Sequence, residues 1–241
     1  MNHAPESGTL AATPTVNSSD IGSPSAKVET VASPIEPRTI GITGGIGMGK
    51  TTVSDYLKTR HNLPILDADI YARAAVEPGS RVLAELVERY GSSILLPSGK
   101  LDRERLGNII FASSAERHWL EQQIHPYVRE RLETELQVLK AQGCQTIVLV
   151  IPLLFEARMT DLVSEIWVVR LTEAEQTQRL RQRDQLSLEQ AQARINSQMP
   201  IEKKVAQADV VLDNSSTPEA LFQQIEQVLS LRPAKQRQRR H

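Results

Sequence analysis

The chain has 241 residues, 28 basic and 29 acidic side chains and a formal net charge of −1, so it is long enough for one substantial α/β core. That balance carries no global field that would recruit nucleic acid or an acidic membrane surface. A single cysteine, Cys144, excludes an internal disulfide, and the five histidines show no C-x-x-C or H-E-x-x-H spacing, which argues against a protein-built zinc site and suits a reducing cytosol. No apolar run approaches the roughly 18 residues of a membrane helix, so a soluble, cytoplasmic protein is expected.

Residues 1–37 are rich in Ser, Thr, Pro and Ala and contain no Phe, Trp or Tyr. Such a segment cannot bury enough surface to offset its ordering entropy, and a disordered tail is expected. It has neither the apolar centre of a secretory signal nor the basic character of an organelle transit peptide: Lys27 stands among four acidic residues.

The globular part should run over residues 38–231. Arg38-Thr39-Ile40-Gly41-Ile42-Thr43 reads as a strand and Thr52-Val53-Ser54-Asp55-Tyr56-Leu57 as the first turns of a helix. Between them, Gly44 to Thr51 fills every fixed position of G-x-x-x-x-G-K-[ST]. This pattern turns consecutive backbone N–H groups and a helix N-terminus towards one anion. Lys50 adds a point charge near the β- and γ-phosphates, and the Thr51 hydroxyl can ligate Mg²⁺.

Leu63 to Leu66 reads as a buried strand ending at Asp67-Ala68-Asp69, which puts two carboxylates at the sheet edge where ligands bind in open α/β folds. A carboxylate there can accept a hydroxyl proton or hold Mg²⁺ through water; helix capping is the plainer role for both. A helix is expected from Asp69 through Val76.

From Pro78 to Ala141 the periodicity is helical: Arg81 to Tyr90, Asp102 to Phe111, Ser114 to Ile124 and Tyr127 to Leu139. Ser113 with Glu116 offers a capping box, and Pro126 should fix the join between the last two helices. This insertion could wall an acceptor site or simply cover the sheet. His125 could be a substrate contact or a structural histidine.

Thr146 to Ile151 is a continuous apolar run, as expected of a central parallel strand, and Pro152-Leu153-Leu154-Phe155-Glu156 follows at its exit. Ile166 to Val169 gives another strand. Thr172 with Glu175 caps a helix carrying Arg179, Arg181 and Arg183, and Ser187 with Gln190 caps the next. These arginines could close over phosphates, although Arg181 also fits plain surface. Val210 to Leu212 is the last strand and Thr217-Pro218 starts the last helix. The basic end, residues 232–241, reads as solvated. The alternation predicts a parallel sheet with helices on both faces. The absence of an N-K-x-D motif weakens a GTPase reading.

Five segments carry a resemblance to the dephospho-CoA kinase family. They are Ile42 to Thr52; Asp67-Ala68-Asp69 with Ala72-Arg73 and Val76 to Gly79; Leu101-Asp102-Arg103 through Ile110-Phe111 with His125-Pro126; Pro152 to Glu156; and Arg179-Leu180 with Arg183-Asp184 through Gln198-Met199-Pro200 to Asp213-Asn214. The resemblance implies a P-loop kinase fold with a helical CoA-binding insertion at about 78–141 and a helical lid at about 174–206. It implies phosphorylation of the ribose 3′-hydroxyl of dephospho-CoA with ATP and Mg²⁺; a monomer is expected. By position it implies ATP contacts at Gly47, Met48, Gly49, Lys50, Thr51 and Thr52, with Asn214 by the adenine. Asp69 falls on the catalytic carboxylate, assisted by Lys50, Arg179 and Arg183. Thr43, Arg73, Arg105, His125 and Arg129 fall on the acceptor side, and Thr51 and Asp67 on the metal. This chain departs at Met48 and Thr51, where Ser is more usual, and at Val150, where many relatives have Asp. Another P-loop kinase, acting on a different nucleoside, nucleotide or sugar, and a nucleotide-dependent regulatory protein are the alternatives.

Overall fold

The computed structural model describes residues 36–231, so the expected N-terminal tail, save its last two residues, and the basic end lie outside the described residues. Five strands, β1 (Arg38–Gly44), β2 (Ile65–Asp67), β3 (Thr146–Val150), β4 (Glu165–Arg170) and β5 (Val210–Asp213), form one parallel sheet in the order β2-β3-β1-β4-β5. β3 is apolar throughout because it is covered on both faces. Ile147 and Leu149 point into one core with Leu132, Leu136 and Val168, while Val148 and Val150 point into another with Ile40, Ile42 and Trp167. The second core is closed by α1 (Lys50–His61) and α9 (Pro218–Ser230), through Val53, Leu57, Leu221 and Ile225.

The register places the site. Ile42 and Asp67 both pair with Val150, so the end of β2 lies level with β1 two residues before Gly44. Chain direction across the sheet reverses around β1, and ligands bind beyond strand C-termini at such a reversal.

After β2 come α2 (Ala68–Ala74), α3 (Arg81–Tyr90), α4 (Arg103–Ala112) and α5 (Ser114–Ala141). Ala75, Leu83, Leu86, Ile94, Leu106 and Leu120 make a separate core among them. One expectation fails here. Two helices joined at Pro126 were predicted, but α5 is one 28-residue helix with Pro126 inside it. An interior proline costs about 3 kcal/mol. Leu120, Val128, Leu132 and Leu136 are all buried along the same helix, each worth about 1.5–3 kcal/mol, and their burial outweighs the break. The capping box at Ser113 forms only by half. Ser113 Oγ accepts the Glu116 N–H at 3.3 Å, but the Glu116 carboxylate takes Arg89 at 2.7 Å and the Tyr90 hydroxyl at 2.6 Å.

Beyond β4, α6 (Glu173–Asp184) and α7 (Leu188–Asn196) form a hairpin, and each starts in a complete capping box, on Thr172/Glu175 and Ser187/Gln190. A short α8 (Ile201–Val205), unforeseen in the sequence, leads to β5. No helix among the described residues is long and apolar enough to cross a membrane.

Candidate active site

The loop after β1 needs glycine at two points. A Cβ on Gly44, at φ 147°, would lie 2.3 Å from the Val169 carbonyl oxygen, and one on Gly49, at φ 96°, would lie 2.1 Å from Asn214 Nδ2. α1 then begins without a side-chain cap and without an acidic residue in its first turn. Its unpartnered first-turn N–H groups and the positive end of its dipole are left for an anion.

Lys50 folds under the loop, where Nζ donates to Gly44 O at 3.1 Å and Gly45 O at 3.0 Å. Burial, and after it the nearby Lys204 ammonium, lower its pKa to about 8, while Asp69 and Asp67 pull in the opposite direction and Arg183 adds to the lowering. Lys50, Asp67, Asp69 and Arg183 thus share one electrostatic neighbourhood. Thr51 and Thr52 are exposed at the start of α1.

Asp67 Oδ1 accepts the Asp69 N–H at 2.9 Å, capping α2. Burial raises the Asp67 pKa, with the Asp69 charge adding to it and Arg73 and Lys50 opposing. The exposed Asp69 lies at a cavity of about 280 Å³ between α2 and the insertion, with Arg73, Arg103, Leu106, Leu120 and Ile124 in its wall. An acidic group in the electrostatic neighbourhood of the phosphate-loop lysine therefore lines a pocket that also has apolar side chains and two arginines in its wall.

The remaining residues singled out in the sequence have partners of their own. Arg179 Nη2 donates to Asn214 O at 3.1 Å, and Arg183 pairs with Asp184 at 2.7 Å. Asn214 is buried and its amide donates to Met48 O at 2.9 Å, which ties β5 to the loop. Met48 is 1% exposed and its sulfur accepts the Gly45 N–H at 3.2 Å. Thr43 Oγ1 donates to Pro152 O at 3.1 Å. Arg105 donates to the Ser93 carbonyl, and Arg129 pairs with Asp161 and with Glu133, the latter at 2.8 Å. His125 titrates below its ordinary range because it is half-buried, with Glu121 and Glu156 opposing that shift.

Sequence reasoning missed Lys204. Its side chain is fully buried, and Nζ donates to Pro152 O at 3.0 Å and pairs with Glu156 Oε1 at 2.9 Å. Glu156 Oε1 also accepts the Met199 N–H at 3.0 Å. In the stretch Ile201-Glu202-Lys203-Lys204-Val205 nothing local separates this lysine from its solvated neighbour, because its partners lie about fifty residues away.

A parallel sheet, a complete phosphate loop after its central strand, and an acidic group over an adjoining pocket define the class: this is a P-loop kinase. The family model for dephospho-CoA kinase matches residues 38–219. The chain is 56% identical to the dephospho-CoA kinase of Trichormus variabilis, covering 80% of this chain and 97% of that one, and 55% identical to that of a Nostoc species with the same coverage. It therefore belongs to the dephospho-CoA kinase family. Its fold matches a Thermus thermophilus crystal structure at a TM-score of 0.68 and 34% identity, over 81% of this chain and 98% of that one. It also matches the dephospho-CoA kinase of Campylobacter jejuni at 0.60 and 26%, over 80% and 95%.

Proposed function

We propose that this protein transfers the γ-phosphoryl group of ATP to the ribose 3′-hydroxyl of dephospho-CoA, giving coenzyme A and ADP, the last step of coenzyme A biosynthesis, and that it works as a cytoplasmic monomer. The observation that carries this reading is that Asp69, which lines the cavity of about 280 Å³, shares the electrostatic neighbourhood of Lys50 in the phosphate loop. The loop amides and the Lys50 ammonium hold the donor phosphates. Arg179 and Arg183, on the α6 side of the loop, act as lid residues that meet charge spreading over the phosphoryl oxygens and exclude water. Asp69 orients the acceptor hydroxyl and takes its proton as the new O–P bond forms and ADP leaves. Arg73 and Arg103 in its wall give the cavity positive charge for a phosphate-bearing acceptor, and Arg105, His125 and Arg129 are the further acceptor contacts. The exposed Thr51 hydroxyl and the Asp67 carboxylate are hard oxygen donors of the kind Mg²⁺ takes. They would hold the ion, which when bound neutralises charge on the β- and γ-phosphates.

Acceptor-dependent ADP release, measured over a panel of dephospho-CoA, nucleosides, nucleotides and sugars, tests this. Dephospho-CoA should be preferred. A different preferred acceptor would mark the chain as another kind of P-loop kinase, and ADP release indifferent to every acceptor would mark a nucleotide-dependent switch.

A further inference from the structure

The third residue of the phosphate loop, Ile46, is held by side chains at both of its backbone groups. Gln176 Nε2 donates to Ile46 O at 2.9 Å, and Gln198 Oε1 accepts the Ile46 N–H at 2.8 Å. The two bonds fix two consecutive peptide planes, those entering and leaving Ile46, just before Gly47 turns the loop through a φ of 76°. The amides that would face phosphate come after that turn.

The two glutamines come from opposite ends of the α6–α7 hairpin. Gln176 lies in the first turn of α6, 4% exposed, and Gln198 lies two residues past the end of α7. Gln198 is itself anchored. The next residue, Met199, donates its N–H to Glu156, which pairs with the buried Lys204. Lys204 also donates to Pro152 O, and that same carbonyl takes the hydroxyl of Thr43, the residue before the loop begins. One segment, Gln198 to Lys204, therefore touches the loop at Ile46 and reaches its root at Thr43. Any displacement of the hairpin's base must move the Ile46 peptides or break these bonds.

We propose that Gln176 and Gln198 are positioning residues for phosphoryl transfer, a two-sided clamp that lets the loop present its amides only while both ends of the α6–α7 hairpin are seated. Neither touches a reacting atom in this scheme. The roles differ in sign: Gln176 serves only as donor and Gln198 only as acceptor. The inference rests on the kinase reading above for its turnover arm alone.

The test uses the full chain carrying Gln176→Met, Gln198→Met or both. Affinity for ATP is measured by calorimetry without acceptor, and kcat and KM for both substrates and the melting temperature are measured alongside. Each single variant should weaken ATP binding and lower kcat by about tenfold, the scale of a small misplacement at a reacting centre. The KM for dephospho-CoA should stay within about twofold and the fold should be retained. Because either loss frees the same residue, the double variant should match the worse single variant rather than the product of both. Should Gln176→Met fail to fold, Gln176→Glu, which keeps the shape and loses the donor, takes its place and should show the same defect. Unchanged ATP affinity in the single variants, or effects that multiply in the double, would overturn the clamp. Failure of the kinase reading would show separately, as ATP binding by the wild type without acceptor-dependent turnover.

Discussion

Raising the pH from 7 to 9 should weaken ATP binding by about tenfold through one group, Lys50. Its pKa is lowered to about 8, first by burial and then by Lys204, so the empty loop changes charge within a range in which an exposed lysine would stay protonated. At pH 7 about nine-tenths of the molecules carry the charge and at pH 9 about one-tenth, so the apparent KM for ATP should rise by about tenfold, or about 1.4 kcal/mol. The sign follows from the ligand: phosphate favours the ammonium form, so binding above pH 8 draws a proton from solvent. The range lies above the last phosphate ionisation, near pH 6. Initial rates against ATP at saturating dephospho-CoA, in half-unit steps, give the profile. Calorimetry in buffers of different ionisation enthalpy gives the proton uptake. In Lys50→Arg the charge cannot be lost, so whatever affinity remains should be flat with pH. A KM that does not change to pH 9, or the same slope in the arginine variant, would refute the assignment to Lys50. Stability of the empty protein shifts the other way. The unfolded chain binds the Lys50 proton up to about 10.5 and the folded chain only to about 8, so this lysine's contribution becomes more favourable as pH rises through that window.

Asp69→Asn should lower kcat by about 10²- to 10⁴-fold with ATP affinity nearly unchanged, the range for a positioned base; near-normal turnover would remove Asp69 from that role. Gly49→Ala drives a Cβ to within 2.1 Å of Asn214 Nδ2 at a φ of 96°, and should cost about 1–3 kcal/mol of stability together with most of the ATP affinity. A variant that melts and binds like wild type would show that the Asn214 contact is dispensable. Met48→Ser empties a site that is 1% exposed, so a loss of about 2–5 kcal/mol is expected from thermal or denaturant unfolding. The KM for ATP should stay within a few-fold, because the Met48 side chain is buried and its sulfur is engaged by the Gly45 N–H; a large KM change would place it at the phosphates.

Features encoded by neighbouring residues were legible in the sequence. The loop between an apolar strand and a helix, the uninterrupted run of β3, and the caps at Thr172 and Ser187 all depend on spacing within a few positions, and all stand where expected. The shared edge of the phosphate loop and the Asp67-Ala68-Asp69 turn was also legible, because parallel topology brings the ends of β1 and β2 together there. Features decided by distant partners were not. Pro126 breaks a helix in isolation, but burial on both sides of it keeps α5 whole. Glu116 fits a capping box until Arg89 and Tyr90 claim its carboxylate. Lys204 reads as a surface lysine until Glu156 and Pro152 are placed around it. Arg105, Arg129 and Asn214 could be singled out by position, whereas the groups that occupy them, Ser93, Asp161 and the Met48 carbonyl, are known only once the chain is folded.

The unbroken course of α5 has a mechanical meaning. At about 1.5 Å per residue its 28 residues form a rod of about 42 Å. Near one end Leu120 and Ile124 wall the cavity beside Asp69; further along, Val128, Leu132 and Leu136 are bolted to the central sheet. That wall cannot yield unless the sheet contacts yield with it. Leu106, Gly107 and Ile110 of α4 also line the cavity, and Leu106 and Ile110 pack in the separate core with Ala75, Leu83 and Leu86, which none of the described strand residues enters. The cavity thus has one wall braced by the sheet and another that is not. In hydrogen exchange, amides of α5 should report the opening of the whole domain, while those of α4 should exchange through smaller openings.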